Sequence, residues 1–360
     1  MFSKTVGVFF NNKKVGRITE LQSGHYGFTY DPEWLLNGFA IDPRHLPLQN
    51  VLFTVRQIAP SMYSNCSFNI FLASFLGGWQ YVLIDSLLLK YVDSPQEISL
   101  LDRLVVLAEH GCGSLTYKLE EAFDYKMDMR CLIFWHEQMV CKHRSEDLNK
   151  LLACWSLLDE NSGVTLKMVL VALGKTQWLL KFKRKGDEIE WLNSQAALKA
   201  GLCLPEIRRL EDRYFLSKRF DCREDGRKIF FCRADVLLEE RGCDYADILN
   251  LTKDLTESSE EVLKMFQRAC FNILSGCDDH IHNLGYLYDG VNWTVCPNYD
   301  LAQGPKPGHD ALLTVNHSHK PNTEDILIVA EKAGIPARIA KDVLAEVRAA
   351  VDECLLSGLA

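Results

Sequence analysis

The sequence has no two cysteines at metal-ligand spacing, no apolar run long enough to span a membrane and no surplus of basic residues. Each absence excludes a class of function. The 13 cysteines of this 360-residue chain are an odd number with no CxxC pair. They sit in apolar runs such as Phe231-Cys232 and Ala153-Cys154-Trp155. That placement fits reduced, buried thiols of a cytosolic protein and argues against zinc. The longest apolar stretches, 68–76 and 79–89, are interrupted by Gly77, Gly78 and Asp85. They stop short of the roughly 18 uninterrupted residues of a membrane span. The apolar start, Val6 to Phe10, is broken by Asn11, Asn12, Lys13 and Lys14, too early for a secretory core. The formal net charge is -8, so bulk charge does not recruit nucleic acid, and any DNA contact needs a local patch or a partner. The one basic cluster, 181–185, reads as a solvated strand end with a phosphate patch as its alternative. Internal repeats and low-complexity tracts are absent.

What is present is ordinary globular material, 48% hydrophobic and 24% charged, enough for two or three subdomains with cores of their own. Residues 1 to about 60 read as β. Val6 to Phe10 forms a strand, 11–14 a turn, and Val15 to Ile18 the return. His25 to Tyr30 alternates as a third strand and stops at Asp31-Pro32. From 66 to about 110 the period is helical, with Leu100, Leu101, Leu104, Leu107 and Ala108 on one face. Gly111-Cys112-Gly113 closes that unit and 114–117 leads out of it. Residues 118–160 are mixed. Strands are expected at 167–173, 177–182, 214–220 and 228–232, with a helix over 187–200 ending at Gly201. From Ala234 onward most patterns are helical, at 258–274, 323–332 and 336–356.

One constellation carries chemistry. Asp278 lies five residues before Asn283, and Asp300 follows after a strand-like stretch. This is the spacing that kinases use for phosphoryl transfer. The first carboxylate takes the acceptor hydroxyl's proton, and the amide and second carboxylate hold Mg²⁺ on the nucleotide phosphates. The alternative is a turn-rich segment whose Asp and Asn side chains cap backbone groups. A lysine for the phosphates is available at Lys181, near the end of an apolar strand, with Glu190 nine residues on in the next helix. The alternative there is a surface lysine and a first-turn glutamate steadied by the helix dipole. Ser162 and Gly163, in 160–167, are the candidate phosphate-covering loop, with a plain hairpin entry as the alternative. Lys218 to Asp221 closes the smaller β-rich stretch, where a hinge backbone would meet adenine.

With these residues in order, the chain resembles the HipA-type kinase toxins of bacterial toxin–antitoxin systems over nearly its whole length. The resemblance rests on Phe28-Thr29-Tyr30-Asp31-Pro32-Glu33-Trp34-Leu35, Leu46-Pro47-Leu48, Leu76-Gly77-Gly78-Trp79, 111–117 and Lys218-Arg219-Phe220-Asp221. Its strongest parts are Asp278-Asp279-His280-Ile281-His282-Asn283 and Pro297-Asn298-Tyr299-Asp300-Leu301. The resemblance implies an α+β, two-lobed kinase-like fold with an N-terminal β-rich subdomain. Its implied bounds are 1–117 for that subdomain, 118–221 for a kinase-like small lobe and 222–360 for a helical catalytic lobe. It also implies a cytoplasmic serine/threonine kinase using ATP and Mg²⁺, whose substrate is an aminoacyl-tRNA synthetase. A helix-turn-helix antitoxin would neutralise it and bind the operator DNA for both.

Carried over by position, Asp278 is the base, Asn283 and Asp300 the Mg²⁺ ligands, and Lys181 with Glu190 the phosphate clamp. Lys218 and Phe220 fall at the hinge. The 160–167 loop departs from the family pattern, with Glu160 at its first serine and Thr165 at its glutamine. Two other classes share the sequence features: a kinase-fold binding or immunity module without catalysis, and a small-molecule kinase. Tyr30, Trp34 and Trp79 in the N-terminal unit are candidates for a docking surface, with core packing as the alternative.

Overall fold

The computed structural model describes residues 5–22, 24–56, 68–75, 81, 84, 85, 88, 89, 92, 94–108, 111–120, 168–173, 176–182, 188–210, 214–238, 243–277, 280–302 and 313–356. The chain divides into two compact units, residues 1–182 with 221–232, and residues 183–220 with 233–360.

The first unit is built on an antiparallel sheet of β1 (Thr5–Phe10), β2 (Lys13–Gln22), β3 (His25–Tyr30), β4 (Phe53–Arg56) and β5 (Leu115–Leu119), in the order β4-β3-β2-β1-β5. The inward residues of the first three strands, Val6, Val8, Val15, Ile18 and Phe28, are fully buried, as alternation at a half-buried sheet requires. Asn11 and Asn12 carry the β1–β2 turn at φ 48° and 65°, the left-handed pair a two-residue hairpin turn favours. Gly16 is obligatory, because a Cβ there would lie 2.2 Å from the Thr29 carbonyl oxygen. Segment 114–117 is not merely an exit. It enters β5 and pairs with β1, Val8 opposite Tyr117. Asp31-Pro32 is more than a strand stop. The Asp31 carboxylate accepts from the Glu33 N–H at 3.0 Å and starts α1 (Pro32–Asn37) with proline in its first turn.

A short helix, α2 (Asn69–Leu72), places Phe71 against Phe28, ring centroids 5.3 Å apart. α3 (Leu100–Leu107) opens with a Ser99–Asp102 capping box and buries Leu100, Leu101, Leu104 and Leu107 against β1 and β5. Tyr30 and Trp34 are 5% and 6% exposed, so they belong to the core and not to a docking surface. The Tyr30 hydroxyl donates to the Leu46 carbonyl, and the Trp34 indole donates to the Phe39 carbonyl at 2.9 Å. Trp79 lies outside the described residues.

A hairpin of β6 (Met168–Leu173) and β7 (Thr176–Phe182) puts Lys181 opposite Met168. Segment 221–232 is held to the five-stranded sheet. Asn11 grips the Lys228 backbone at both ends, accepting from its N–H and donating to its carbonyl, each at 2.8 Å. Phe230 packs on Phe10 and Phe39 at 5.7 and 4.9 Å.

The second unit is mostly helical. α4 (Glu188–Lys199) ends two residues before Gly201, which has φ 78°. A hairpin of β8 (Ile207–Leu210) and β9 (Tyr214–Lys218) follows, β8 being a strand the local sequence pattern did not disclose. Then come α5 (Ala234–Leu238), α6 (Tyr245–Thr256), α7 (Ser259–Ser275), the hairpin β11–β12 (Gly285–Tyr288, Trp293–Val295), α8 (Thr323–Lys332) and α9 (Ala337–Val351). The strand β10 (Phe230–Arg233) precedes α5. α9 continues into a wider turn over Asp352–Leu356 in place of a regular helix to 356. α7 is the spine, packed against α6 and α9 and burying Val262, Met265, Phe266, Ala269 and Phe271. Full burial of a side chain like Phe266 contributes about 1.5–3 kcal/mol. Among the described residues, no helix is long and apolar enough to cross a membrane.

Candidate functional site

The site grows from the end of α7. Gly276 takes φ 71°, which only glycine adopts freely, and turns the chain out of the helix. Cys277 follows, buried, its thiol directed to the Leu301 carbonyl at 3.6 Å. Asp278 and Asp279 lie outside the described residues. The chain then makes a single 3₁₀ turn over Ile281–Asn283, closed by the Leu284 N–H donating to the Ile281 carbonyl at 3.2 Å. Asn283 ends that turn and is 3% exposed.

The β11–β12 hairpin closes the distance between Asn283 and Asp300. Its ladder pairs Tyr286 with Val295, and the Cys296 N–H donates to the Gly285 carbonyl at 3.0 Å. The returning segment is then pinned at several points. Asn298 donates through its backbone and side-chain N–H groups to the Cys203 carbonyl, at 2.8 and 2.9 Å. The Tyr299 hydroxyl donates to the His282 carbonyl at 2.8 Å. That bond joins the residue before Asp300 to the residue before Asn283. The Leu301 carbonyl accepts from the Asn193 side-chain amide at 2.8 Å.

Asp300 sits at φ 56°. A non-glycine residue there costs about 1–2 kcal/mol, less for aspartate than for most, and such strain gathers at functional sites. The peptide before it is held from α7. Arg268, 1% exposed, donates from Nη2 to the Tyr299 carbonyl at 3.2 Å. A hydrogen bond from a charged donor contributes roughly 1.5–3 kcal/mol, enough to offset the strain.

Asn283 is buried, and His280, His282, Tyr299 and Asp300 around it in the chain are half-buried. The imidazoles of His280 and His282 stack with centroids 4.9 Å apart. Desolvation, followed by the positive field of Arg233, pulls the His282 pKa down to about 4, against the opposing pull of Asp235 and Asp300. His282 is therefore neutral at physiological pH. Burial pushes the Tyr299 hydroxyl well above the usual tyrosine range, so it stays a donor. The Phe220 ring lies on the Tyr299 ring, centroids 5.7 Å apart.

Glu190 is 5% exposed on α4, one turn before Asn193. Lys218 ends β9, its N–H donating to the Glu206 carbonyl at 2.8 Å. Lys181 is half-buried in the first unit, on β7. Glu160, Ser162, Gly163 and Thr165 lie outside the described residues. Asn193, Arg268 and Tyr299 are the residues sequence reasoning missed. Arg268 had left a trace, since it falls on the apolar stripe of α7 with Met265 and Asn272, where an exposed charge has no place.

The donor set fits a hard divalent cation. An amide oxygen and a carboxylate, Asn283 and Asp300, are oxygen ligands of the kind Mg²⁺ takes while substrate phosphates and waters complete its shell. Among the described residues no three His, Cys, Asp or Glu side chains group as a metal cage. A cation shared with nucleotide phosphates needs none.

The HipA-like C-terminal domain family matches residues 160–355, more than half of the chain, and the HipA N-terminal domain family matches residues 6–118. The chain belongs to the HipA family. A chain in the solved complex of the Shewanella oneidensis MR-1 toxin–antitoxin system HipA, HipB and its operator DNA is similar at TM-score 0.68 and 15% identity, over 98% of this chain and 91% of that one. That likeness agrees with the α+β, two-lobed fold class expected from the sequence. The Helicobacter pylori proinflammatory kinase CtkA is similar at TM-score 0.36 and 13% identity, over 52% of this HipA-family chain and 89% of that chain. No curated protein matches.

Proposed function

We propose that this HipA-family chain is an ATP- and Mg²⁺-dependent serine/threonine protein kinase that arrests growth as the toxin of a toxin–antitoxin pair. The observation that supports the reading is the Tyr299–His282 hydrogen bond, which ties the segment leading into Asp300 to the turn that ends at Asn283, residues whose order and spacing suit phosphoryl transfer. Asn283 and Asp300 hold Mg²⁺. Lys181 is the lysine assigned to orient the phosphates, and Glu190 the carboxylate assigned to keep it charged. Ser162 and Gly163 cover them, and Lys218 and Phe220 border the adenine. Asp278 accepts the proton of the acceptor serine hydroxyl as its oxygen attacks the γ-phosphorus, while the bond from that phosphorus to the β–γ bridging oxygen breaks and ADP leaves with the electron pair. Bound Mg²⁺ supplies charge neutralisation on the transferring group.

The substrate is a serine of a translation component, an aminoacyl-tRNA synthetase. The neutralising partner is a helix-turn-helix antitoxin. The presence of HipB and operator DNA with the Shewanella HipA supports that partner. The net charge of -8 supports operator contact through the antitoxin rather than through this chain. The reduced, buried cysteines, Cys232, Cys243, Cys270, Cys277 and Cys296 among them, fit a cytoplasmic location.

The test is to incubate the purified chain with ATP, Mg²⁺ and a bacterial lysate and to map new phosphosites, beside an Asp278→Asn control. A serine in a synthetase, phosphorylated by the wild type alone, is the expected result. Phosphorylation confined to small molecules, or none with either protein, contradicts the reading.

A further inference from the structure

We propose that Arg268 is a positioning residue for the metal, holding the Asp300 carboxylate in place through the backbone. The inference rests on the reading of Asp300 as a metal ligand and extends it to a residue 32 positions earlier, on α7.

Arg268 is among the largest fully buried side chains of the protein. Among the described residues its Nε and Nη1 have no hydrogen-bond partner, and its Nη2 donates to the Tyr299 carbonyl at 3.2 Å. A buried guanidinium with so little compensation is poorly justified by stability, and an apolar side chain of like volume would serve the core as well or better. Its position provides another reason. The Tyr299 carbonyl belongs to the peptide plane that joins Tyr299 to Asp300. Rotating that plane changes the ψ of Tyr299 and the φ of Asp300 together, with little movement of the flanking residues. The orientation of this one carbonyl therefore decides whether Asp300 stays at φ 56° or relaxes to the ordinary negative range.

The neighbouring restraints do not fix that plane. The Tyr299 hydroxyl bond to His282 secures a ring, and the Asn193 bond secures the Leu301 carbonyl, two residues further on. The Arg268 bond acts on the plane itself. Without it, the plane is free to flip and Asp300 relaxes to negative φ, where a different set of rotamers is open to its side chain and its carboxylate is aimed differently. The positive guanidinium also suits a carbonyl whose oxygen must stay turned into the core.

The test uses full-length protein, Mn²⁺ in place of Mg²⁺ and a non-hydrolysable ATP analogue, with Mn²⁺ binding read by electron paramagnetic resonance and no turnover involved. Arg268→Met keeps most of the aliphatic stem and removes the donors. It is expected to weaken Mn²⁺ binding about tenfold, as loss of a partner behind a metal ligand does. Affinity for the analogue without metal should stay at the wild-type value. Arg268→Lys, which keeps a charge and a donor, should recover part of the loss.

Asp300→Ala should remove the Mn²⁺ site, and adding Arg268→Met to it should cost no further analogue affinity. Arg268→Met protein that binds Mn²⁺ within about twofold of wild type overturns the proposal. So does an additional loss of metal-free analogue binding in the double variant, which is the mark of a merely structural role. If Arg268→Met does not fold, Arg268→Lys decides by the same titration: weakened Mn²⁺ binding supports the proposal and wild-type binding overturns it. Asp300→Ala protein that retains wild-type Mn²⁺ binding fails the metal assignment itself, a result distinct from failure at Arg268.

Discussion

Asn11 and Asn12 in the β1–β2 turn, and Asp300 after β12, all have positive φ, at 48°, 65° and 56°. In the turn, the left-handed backbone is what the fold demands. A two-residue hairpin needs it to match the twist of its strands, and asparagine tolerates it best after glycine. Asn11 then adds stability by gripping the Lys228 backbone with both ends of its amide. At Asp300 no hairpin turn asks for the conformation. Arg268 holds the peptide before Asp300, and Tyr299 and Asn193 pin the chain on either side; among the described residues Nε and Nη1 of Arg268 and Oδ1 of Asn193 have no hydrogen-bond partner. The same backbone state is thus a source of stability in one unit and a drain on it in the other. A drain maintained by buried polar side chains indicates work other than folding.

This contrast predicts that changes at the two places separate along different axes. The largest effect falls on activity. Asp278→Asn, nearly isosteric, should lower phosphoryl transfer by at least about 10²-fold while leaving the melting temperature unchanged. A radiolabelled transfer assay beside a thermal scan checks both halves. On the stability axis the extreme is Phe28→Ala in the first unit. Phe28 is fully buried between Tyr30 and Phe71, so its truncation should destabilise by roughly 3–5 kcal/mol in a denaturant melt. Asn11→Ala removes two hydrogen bonds to Lys228 and should cost about 1–3 kcal/mol at the ordinary worth of such bonds. The smallest change is Asn12→Gly, which keeps the turn's backbone and should move stability by no more than about 0.5 kcal/mol. A large loss there would mean that the Asn12 side chain, and not the turn geometry, carries the hairpin.

Much of this architecture was legible because it is local. The alternation of Val6, Val8, Val15 and Ile18, the leucine face of 100–107 and the start of α8 at Thr323 follow from period and capping alone. What escaped is nonlocal or very short. β5 becomes a strand because the edge of β1 accepts it from more than a hundred residues away, a pairing no window of sequence contains. β8, at four residues, shows no resolvable period and is a strand because β9 folds back on it. α1 could have been read from Asp31-Pro32, an N-cap followed by proline at the first helical position.

The site divides in the same way. Asn283 and Asp300 stood out by residue type and spacing, and a hydrogen bond joins the residues just before them. Tyr299, Asn193 and Arg268 act on backbone carbonyls far away in sequence, and nothing about a tyrosine, an asparagine or an arginine names the carbonyl it will find. Tyr30 and Trp34 show the converse. Aromatic residues in a β-rich unit look available for docking, but Phe10 and Phe39 pack against Trp34, and Phe28 and Phe53 against Tyr30.

The most direct test of the central claim is a single substitution, Asp300→Gly, read twice. Glycine adopts positive φ without strain, so it relieves the backbone while deleting the carboxylate. The account predicts a melting temperature equal to or above that of the wild type, together with loss of Mg²⁺-dependent ATP-analogue binding by calorimetry. A variant that melts well below the wild type and still binds the analogue with undiminished Mg²⁺ dependence would contradict it, because Asp300 would then be a structural residue and not a metal ligand.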